Sequence, residues 1–484
     1  MNIKMVLNTI GKILLVLAAL MLLPAAVSLY YKETCMYSFL ITIAVSFVLG
    51  FTLYIFIKPQ NSNIYAKEGF AIVAGSWILM SLIGALPFFI SGEIPNYVDA
   101  VFETISGFTT TGASILKDVE ALSHGLIFWR SFTHWIGGMG VLVFVMAISP
   151  TATDRSLHIM RAEMPGPIVG KLVPKAKETA KILYIIYICL TLVQIIMLLF
   201  GGLNLFESSV LSFGTAGTGG FSLKADSIAG YSSYIQWVIT AFMLIFGVNF
   251  NLYFLILIKR FKAAFSSREL WVYLSIVLIS TVLVSVNTLT FSPSGLSTAD
   301  TVKQAAFQVS SIITTTGYTT ADFNCWPAFS KAILVSLMFI GGCAGSTAGG
   351  LKVSRVIILF KSIKKEFSKM LHPKSVTTLK FEGKTLKSNT THGITNYFTV
   401  YFICVLVLFL LISINGLDFE TNATAVITCF NNVGPGLSLV GPYGGFYCFN
   451  SFSKILLSFA MLLGRLEIFP VLLFFHPATW ARTK

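Results

Sequence analysis

Uncharged apolar runs of about 20 residues recur along the whole chain, and a run of that length crosses the hydrocarbon core of a bilayer as one helix. Few folds are open to such a sequence. Backbone at that depth has no water to bond, so it must be helical or enclosed by other protein. Only 11% of the 484 residues are charged and 55% are hydrophobic, whereas a soluble domain carries roughly 25% charge. An all-α polytopic membrane protein is therefore expected. Ten spans are read, at 5–30, 36–57, 69–90, 126–148, 182–201, 235–258, 270–291, 330–350, 395–414 and 453–475. The first lacks a small-residue cleavage site and a second span follows at once, so it reads as an uncleaved helix rather than a signal peptide.

Between spans 3 and 4, 5 and 6, 7 and 8, and 9 and 10 lies a segment of another kind. The four read DAVFETISGFTTTGAS (99–114), FESSVLSFGTAGTGGFS (206–222), VKQAAFQVSSIITTTGYTT (302–320) and TNATAVITCFNNVGPGLS (421–438). Each has an apolar stretch too short to span, then a polar run with a glycine: Gly112, Gly220, Gly317 and Gly434. The glycines recur at intervals of about a hundred residues, an internal repeat of helix, re-entrant hairpin and helix. The two first spans stand outside it. The expected units are 1–66 (two extra N-terminal transmembrane helices), then pore repeats at 67–150, 151–262, 263–370 and 371–484.

With both termini in the cytoplasm, all four hairpins enter from outside and most of the 34 Lys and Arg fall on the inner side, as basic inner loops require. The net charge of +14 is thus mainly topological and not a nucleic-acid signature. The inner segment 351–393, with ten Lys and Arg, is suited to anionic lipid or a partner. The seven cysteines show no CxxC pair and no cluster with histidine, and most read as small buried hydrophobes. Trp129, Trp135 and Trp326 read as an interfacial aromatic belt, and His134 as a packing or interfacial residue rather than a titrating one.

Non-helical backbone in a bilayer survives inside protein or beside water. Four such segments converging on one axis would offer carbonyl oxygens in place of a cation's hydration shell. Glycine supplies backbone angles that a Cβ resists, and threonine adds a neutral oxygen. The Thr-Gly runs contain no Asp or Glu, which suits a monovalent ion better than a hard divalent one. The C-terminal end of each short helix, partially negative, also favours a cation. Asp99, Glu103, Glu207, Asp300 and Asp418 are expected to draw cations to the mouth. The competing reading of the small residues is plain helix packing.

Two further features lie deep in the spans. FIGGCAGSTAGGLKVSR interrupts span 8 with Gly341, Gly342, Gly345, Gly349 and Gly350 around Ser346 and Thr347. Each glycine costs a helix about 1 kcal/mol against alanine, so a broken helix with an intramembrane loop is expected; close small-residue packing is the alternative. Arg465 falls about 16 Å along a helix from Lys454, near mid-membrane, where a charge faces a cavity or a partner unless it snorkels to the inner surface.

Together with HWIGGMG (134–140) and GRLEIFP (464–470), these motifs make the chain resemble the TrkH subunits of bacterial Trk potassium uptake systems, within the Trk/Ktr/HKT superfamily. The resemblance covers nearly the whole chain. It implies gated potassium uptake through one pore per chain, not enzymatic activity. It also implies a homodimer in the cytoplasmic (inner) membrane, surrounded by lipid, with a cytoplasmic nucleotide-binding regulator resembling TrkA. Potassium is the transported ion, and no organic cofactor is expected. The implied filter residues are Thr110, Thr111 and Gly112; Thr218, Gly219 and Gly220; Thr315, Thr316 and Gly317; and Asn432, Val433 and Gly434. Glycine at 112, where plant relatives that carry sodium have serine, leans towards potassium. The fourth segment departs from Thr-Thr-Gly-Tyr, so selectivity looser than that of a tetrameric potassium channel is expected. By the same resemblance the glycine loop occludes the pore and Arg465 projects beneath the filter as a barrier to cations.

A proton- or sodium-coupled secondary potassium transporter is the alternative. It usually needs intramembrane acids, and Glu467 is the one acid placed within a span. The motifs of metal or serine hydrolases are missing.

Overall fold

The computed structural model describes residues 1–59, 66–140, 176–291, 297–374, 378–386 and 388–480. In chain order its main helices are α1 (Ile3–Leu20), α2 (Leu22–Tyr30), α3 (Met36–Phe56), α4 (Ala66–Gly84), α5 (Leu86–Ile90), α6 (Tyr97–Phe108), α7 (His124–Met139), α8 (Ala176–Phe200) and α9 (Leu205–Ala216). There follow α10 (Ser233–Phe246), α11 (Phe250–Leu257), α12 (Phe261–Phe265), α13 (Arg268–Phe291), α14 (Thr298–Ile313), α15 (Ala328–Phe339), α16 (Val353–Leu371), α17 (Ser388–Ser413), α18 (Phe419–Asn431), α19 (Ser451–Arg465) and α20 (Phe469–Phe475). The strands among the described residues are one short antiparallel hairpin, Lys380–Phe381 with Lys384–Thr385, turned by Glu382 and Gly383 at positive φ. The all-α expectation holds.

The count of spans differs. Six helices among the described residues are long and apolar enough to cross a membrane, or seven if α10 and α11 form one span. Those two meet at 90°, because α10 stops at Gly247 and Asn249 caps α11 by accepting from Asn251 N (2.9 Å). The expected span 330–350 is helical only as α15. The expected span 453–475 breaks between α19 and α20, where Glu467 and Ile468 both take positive φ. The helix within 126–148 ends at Met139, and 141–148 lies outside the described residues.

The four short helices α6, α9, α14 and α18 have 12, 12, 16 and 13 residues. At 1.5 Å per residue that is about 18–24 Å, less than a bilayer core. Each starts on a capping side chain: Asn96, Asn204, Ser297 and Asp418 accept from backbone N–H groups of the first turn. Each carries an acid in that turn, Asp99, Glu207, Asp300 and Glu420, where the helix dipole favours negative charge.

The longer helices surround them. α3, α13 and α17 expose apolar rows, such as Phe47, Val48 and Phe51 on α3 and Leu406 and Leu410 on α17, a surface suited to hydrocarbon rather than water. Trp129, expected at the interface, is instead fully buried. Its Nε1 donates to the carbonyl of Gly84 beside Pro87 (2.9 Å), and its ring meets Phe108 edge-on at 5.9 Å. All seven cysteines are free.

The N-terminal helices are joined to the rest through the turn between α2 and α3. Ser123 begins α7 without a side-chain cap. Glu33, between α2 and α3, supplies one: it accepts from His124 N (2.7 Å), His124 Nδ1 (2.9 Å) and Gly125 N (3.0 Å). Burial pushes the Glu33 carboxyl up, but these donors outweigh it and hold it below its ordinary value. Its contribution to stability is therefore complete above the ordinary carboxylate value and is lost as pH falls through the lowered one. Glu33→Gln should cost about 1 kcal/mol at neutral pH, the scale of a lost helix cap. It should also blunt the loss of stability on acidification. Thermal unfolding in detergent over a pH series reads both.

Candidate functional site

The ends of α6, α9, α14 and α18 repeat one backbone design. A non-glycine residue turns left-handed: Thr110 (φ 54°), Thr218 (54°), Thr315 (55°) and Asn432 (56°). The amide of the next residue reaches back to a carbonyl inside the helix: Thr111 to Ser106 (2.9 Å), Gly219 to Gly214 (2.8 Å), Thr316 to Ser311 (2.8 Å) and Val433 to Thr428 (2.9 Å). A glycine at positive φ then follows: Gly112 (79°), Gly220 (77°), Gly317 (83°) and Gly434 (99°). Left-handed threonine is rare, and each such residue costs of order 1 kcal/mol or more. Three occur here at equivalent places.

The four turns touch in a closed cycle. A Cβ on Gly112 would collide with the carbonyl oxygen of Gly219, one on Gly220 with that of Thr316, and one on Gly317 with that of Val433. A Cβ on Gly434 would lie 2.7 Å from the carbonyl oxygen of Thr111 and so close the ring. None of the carbonyl oxygens of residues 110–112, 218–220, 315–317 and 432–434 accepts a hydrogen bond among the described residues. All four glycines line one cavity of about 130 Å³. Thr109, Thr110, Thr111, Thr218, Thr314, Thr315, Thr316 and Asn432 are buried. The spacing brings together every residue of the four implied filter segments.

The mouth differs from its expectation. No acid lines the cavity, but Lys117, Arg130 and Lys224 do. Glu103 is buried in an ion pair with Arg130 (2.6 Å), Asp99 pairs with Lys454 (2.7 Å), and Asp300 pairs with Lys303 (3.0 Å). Asp418 is used as the cap of α18. Four of the five expected acids are engaged in these pairs and this cap; Glu207 lies in the first turn of α9, and Glu120 accepts from Ala225 N (3.4 Å) at the cavity wall.

After α15 the chain leaves the helix and folds against the ring at Thr315 and Asn432. Ile340 and Leu351 bridge, with Gly341 N donating to Leu351 O (2.7 Å) and Val353 N to Gly342 O (3.2 Å). The break between α10 and α11 holds the loop from the side: Cys343 N donates to Gly247 O (2.9 Å), Phe250 N to Gly345 O (3.0 Å), and Thr347 Oγ1 to Phe246 O (3.2 Å). Gly345 and Gly350 need positive φ, at 75° and 65°. Ser346 Oγ closes back on Cys343 O (2.7 Å). The loop touches the ring directly, as Gly349 N donates to Thr315 Oγ1 (2.6 Å). Arg465, the last residue of α19, bonds Thr347 O (2.9 Å) on the loop and Gly137 O (2.7 Å) and Gly138 O (2.8 Å) at the end of α7.

Several charged groups here went unread in the sequence. Glu269, at the start of α13, accepts from Ala344 N (2.7 Å) and Ser354 N (3.1 Å). Lys352 Nζ bonds Ala348 O and Gly349 O within the loop. Arg355 pairs with Glu467 at 2.6 Å. The partners of Glu269 and Arg355 are far off in sequence, so no local pattern marks them, whereas Lys352 bonds carbonyls three and four residues before it. Among the described residues no group of three His, Cys, Asp or Glu side chains is placed to hold a metal. His134 is buried and stacks on Phe221 at 4.1 Å behind Gly219.

The contact between Thr315 and Gly349 is open to test. Thr315→Val keeps the shape but removes the acceptor, leaving a buried amide unpaired at about 1–3 kcal/mol. Hydrogen exchange over residues 341–350 should speed up correspondingly; unchanged exchange would mean the bond does not hold the loop.

The family model TrkH, described as a cation transport protein, matches residues 35–481. The Trk system potassium uptake protein TrkH of Escherichia coli K12 is 36% identical over 485 residues, covering 99% of this chain and all of that one. The protein of the same description from Halomonas elongata is 32% identical over 485 residues, covering both chains fully. Among solved structures, the crystal structure of the potassium transporter TrkH from Vibrio parahaemolyticus aligns with a TM-score of 0.90 and 32% identity, covering 99% of this chain and 100% of that one.

Proposed function

The chain belongs to the TrkH family of cation transport proteins, and on that premise we propose that it is the ion-conducting subunit of a Trk-type system, taking up potassium across the cytoplasmic membrane. Its relatives are potassium uptake proteins, not enzymes. The observation that carries the reading is the closed ring of Gly112, Gly220, Gly317 and Gly434 beside carbonyls that accept no hydrogen bond among the described residues. Buried polar groups are ordinarily paired. A dehydrated monovalent cation is the partner these oxygens fit, since they are neutral and numerous.

In this reading the chain is four helix–re-entrant loop–helix repeats around one pore, with α1 to α3 outside them. The repeat boundaries are 67–150, 151–262, 263–370 and 371–484, after the N-terminal unit 1–66. Support comes from the shared caps, the shared back-bond and the shared left-handed turn. The filter is Thr110–Gly112, Thr218–Gly220, Thr315–Gly317 and Asn432–Gly434. Potassium replaces its water with their oxygens, and the ring's rigidity disfavours a smaller ion that needs closer ligands.

The loop 340–352 is the gate. It lies against Thr315 and Asn432 from the inner side, where it obstructs an ion leaving the ring. Arg465 holds it to α7 and adds a positive charge that cations avoid. The chain is multi-pass with both termini cytoplasmic, is surrounded by lipid, forms a homodimer, and is opened by a nucleotide-binding regulator resembling TrkA.

Reconstituted protein tests this. Discrete currents reversing at the potassium equilibrium potential are expected, and flux with a fixed proton or sodium stoichiometry would replace the pore by coupled transport. Gly317→Ser puts a Cβ against the Val433 carbonyl and should lower the K+/Na+ permeability ratio by roughly tenfold, the effect of about 1.4 kcal/mol. An unchanged ratio would remove the ring as the filter. Arg465→Ala should raise uptake without regulator; equal uptake by both proteins would end the barrier role.

A further inference from the structure

Behind the first two turns lies an ion pair that forms no part of the ring. Glu103 on α6 and Arg130 on α7 are 1% and 3% exposed, with Oε1 and Nε 2.6 Å apart. Their remaining bonds go to the two segments leaving the ring. Glu103 Oε1 accepts from Ser114 Oγ (2.9 Å) and Oε2 from Ile115 N (3.0 Å), just after Gly112. Arg130 Nη1 donates to Ser222 O (3.1 Å), just after Gly220, and its guanidinium lies 3.5 Å from the centre of the Phe221 ring. Two charges thus bind the outgoing strand of the first turn to that of the second.

At the other junctions the turns themselves are joined by neutral groups, although the helices behind them also carry the pairs Asp99–Lys454 (2.7 Å) and Lys331–Glu420 (4.0 Å). The Tyr318 hydroxyl lies 3.2 Å from the carbonyl oxygens of Leu211 and Phe221, joining the third turn to the second. Asn324 accepts from Ser438 N (3.0 Å), joining the third to the fourth. Asn432 Nδ2 donates to Thr111 Oγ1 (3.0 Å), joining the fourth to the first. Gln308 and Ala425 stand as far before Gly317 and Gly434 as Glu103 stands before Gly112, so the ion pair belongs to one junction alone.

A buried ion pair is a poor source of stability, because desolvation offsets most of its attraction and apolar residues of the same volume often do as well. It does supply direction: a guanidinium fork fixes distance and angle in a way a lysine cannot. In a cage of neutral oxygens, the size of the cage and the number and field strength of its oxygens bear on the choice between K+ and Na+, and both depend on where the turns are held. We propose that Glu103 and Arg130 are a positioning pair that sets the spacing of the first and second turns and thereby the preference for potassium over sodium. This rests on the reading of the ring as the filter. Arg130 also borders the cavity that the four glycines line, and the pair acts through residues 112–115 and 220–222, to which its bonds go.

The test uses the full chain in proteoliposomes, with K+/Na+ permeability ratios taken from reversal potentials. Arg130→Lys keeps the charge and loses the fork. The double variant Glu103→Gln with Arg130→Met leaves no unpaired charge. Size-exclusion elution and melting temperature establish which variants fold, and the double variant decides the question if Arg130→Lys does not. Gly317→Ser is run beside them. The proposal expects each folded variant to pass potassium with a ratio lowered by roughly threefold or more, a change that loss of folded protein alone does not produce. A wild-type ratio in the folded variants, with a lowered one in Gly317→Ser, overturns the pair and leaves the filter standing. Wild-type ratios in all of them overturn the filter and the pair with it.

Discussion

Each of four glycines rests its α-carbon on the main-chain oxygen of the next turn, and the fourth rests on the first. Everything nearby follows from that cycle. It requires residues without a Cβ at 112, 220, 317 and 434. It also requires the chain to leave each short helix sharply, which the left-handed Thr110, Thr218, Thr315 and Asn432 accomplish. Helices too short to cross a bilayer are tolerated because the non-helical backbone after them is enclosed by its three counterparts.

Around this repeated backbone the side chains differ. The first junction is charged, the second phenolic, and the others amide. The fourth turn replaces threonine by Asn432, whose amide also bonds Met461 O (2.9 Å) on α19. Main-chain geometry is therefore fourfold, whereas its support is not. Asp99, Glu103 and Asp300 are committed to ion pairs and Asp418 to a cap, and the cavity beside the four glycines is lined by Lys117, Arg130 and Lys224.

Much of this was legible in the residues. Thr-Gly runs in a greasy chain have a local cost that calls for compensation, and their recurrence pointed to segments that meet. The glycine-rich interruption after α15 was legible for the same reason. The breaks within the spans were not legible because hydropathy is blind to direction: α10 and α11 are both apolar, and only Gly247 and Asn249 mark the 90° turn between them. Arg465 and Glu467 mark the break after α19, but a charge inside an apolar run does not say whether the helix continues. Glu103, Glu269 and Arg355 bond partners 27, 75 and 112 residues away, distances at which no periodicity operates. Trp129 looked interfacial because tryptophan usually is; the free carbonyl of Gly84 drew it inside.

Thr315 belongs to two structures at once. Its backbone is a left-handed corner of the ring, and its hydroxyl accepts the Gly349 amide of the loop below. A group shared in this way makes two equilibria reciprocal: whatever occupies the ring and stiffens that corner must bias the loop, and whatever displaces the loop must alter the ring's hold on its occupant by the same factor. On the proposed reading of ring and loop, occupancy and opening then share a single free energy, held in common through one hydroxyl oxygen.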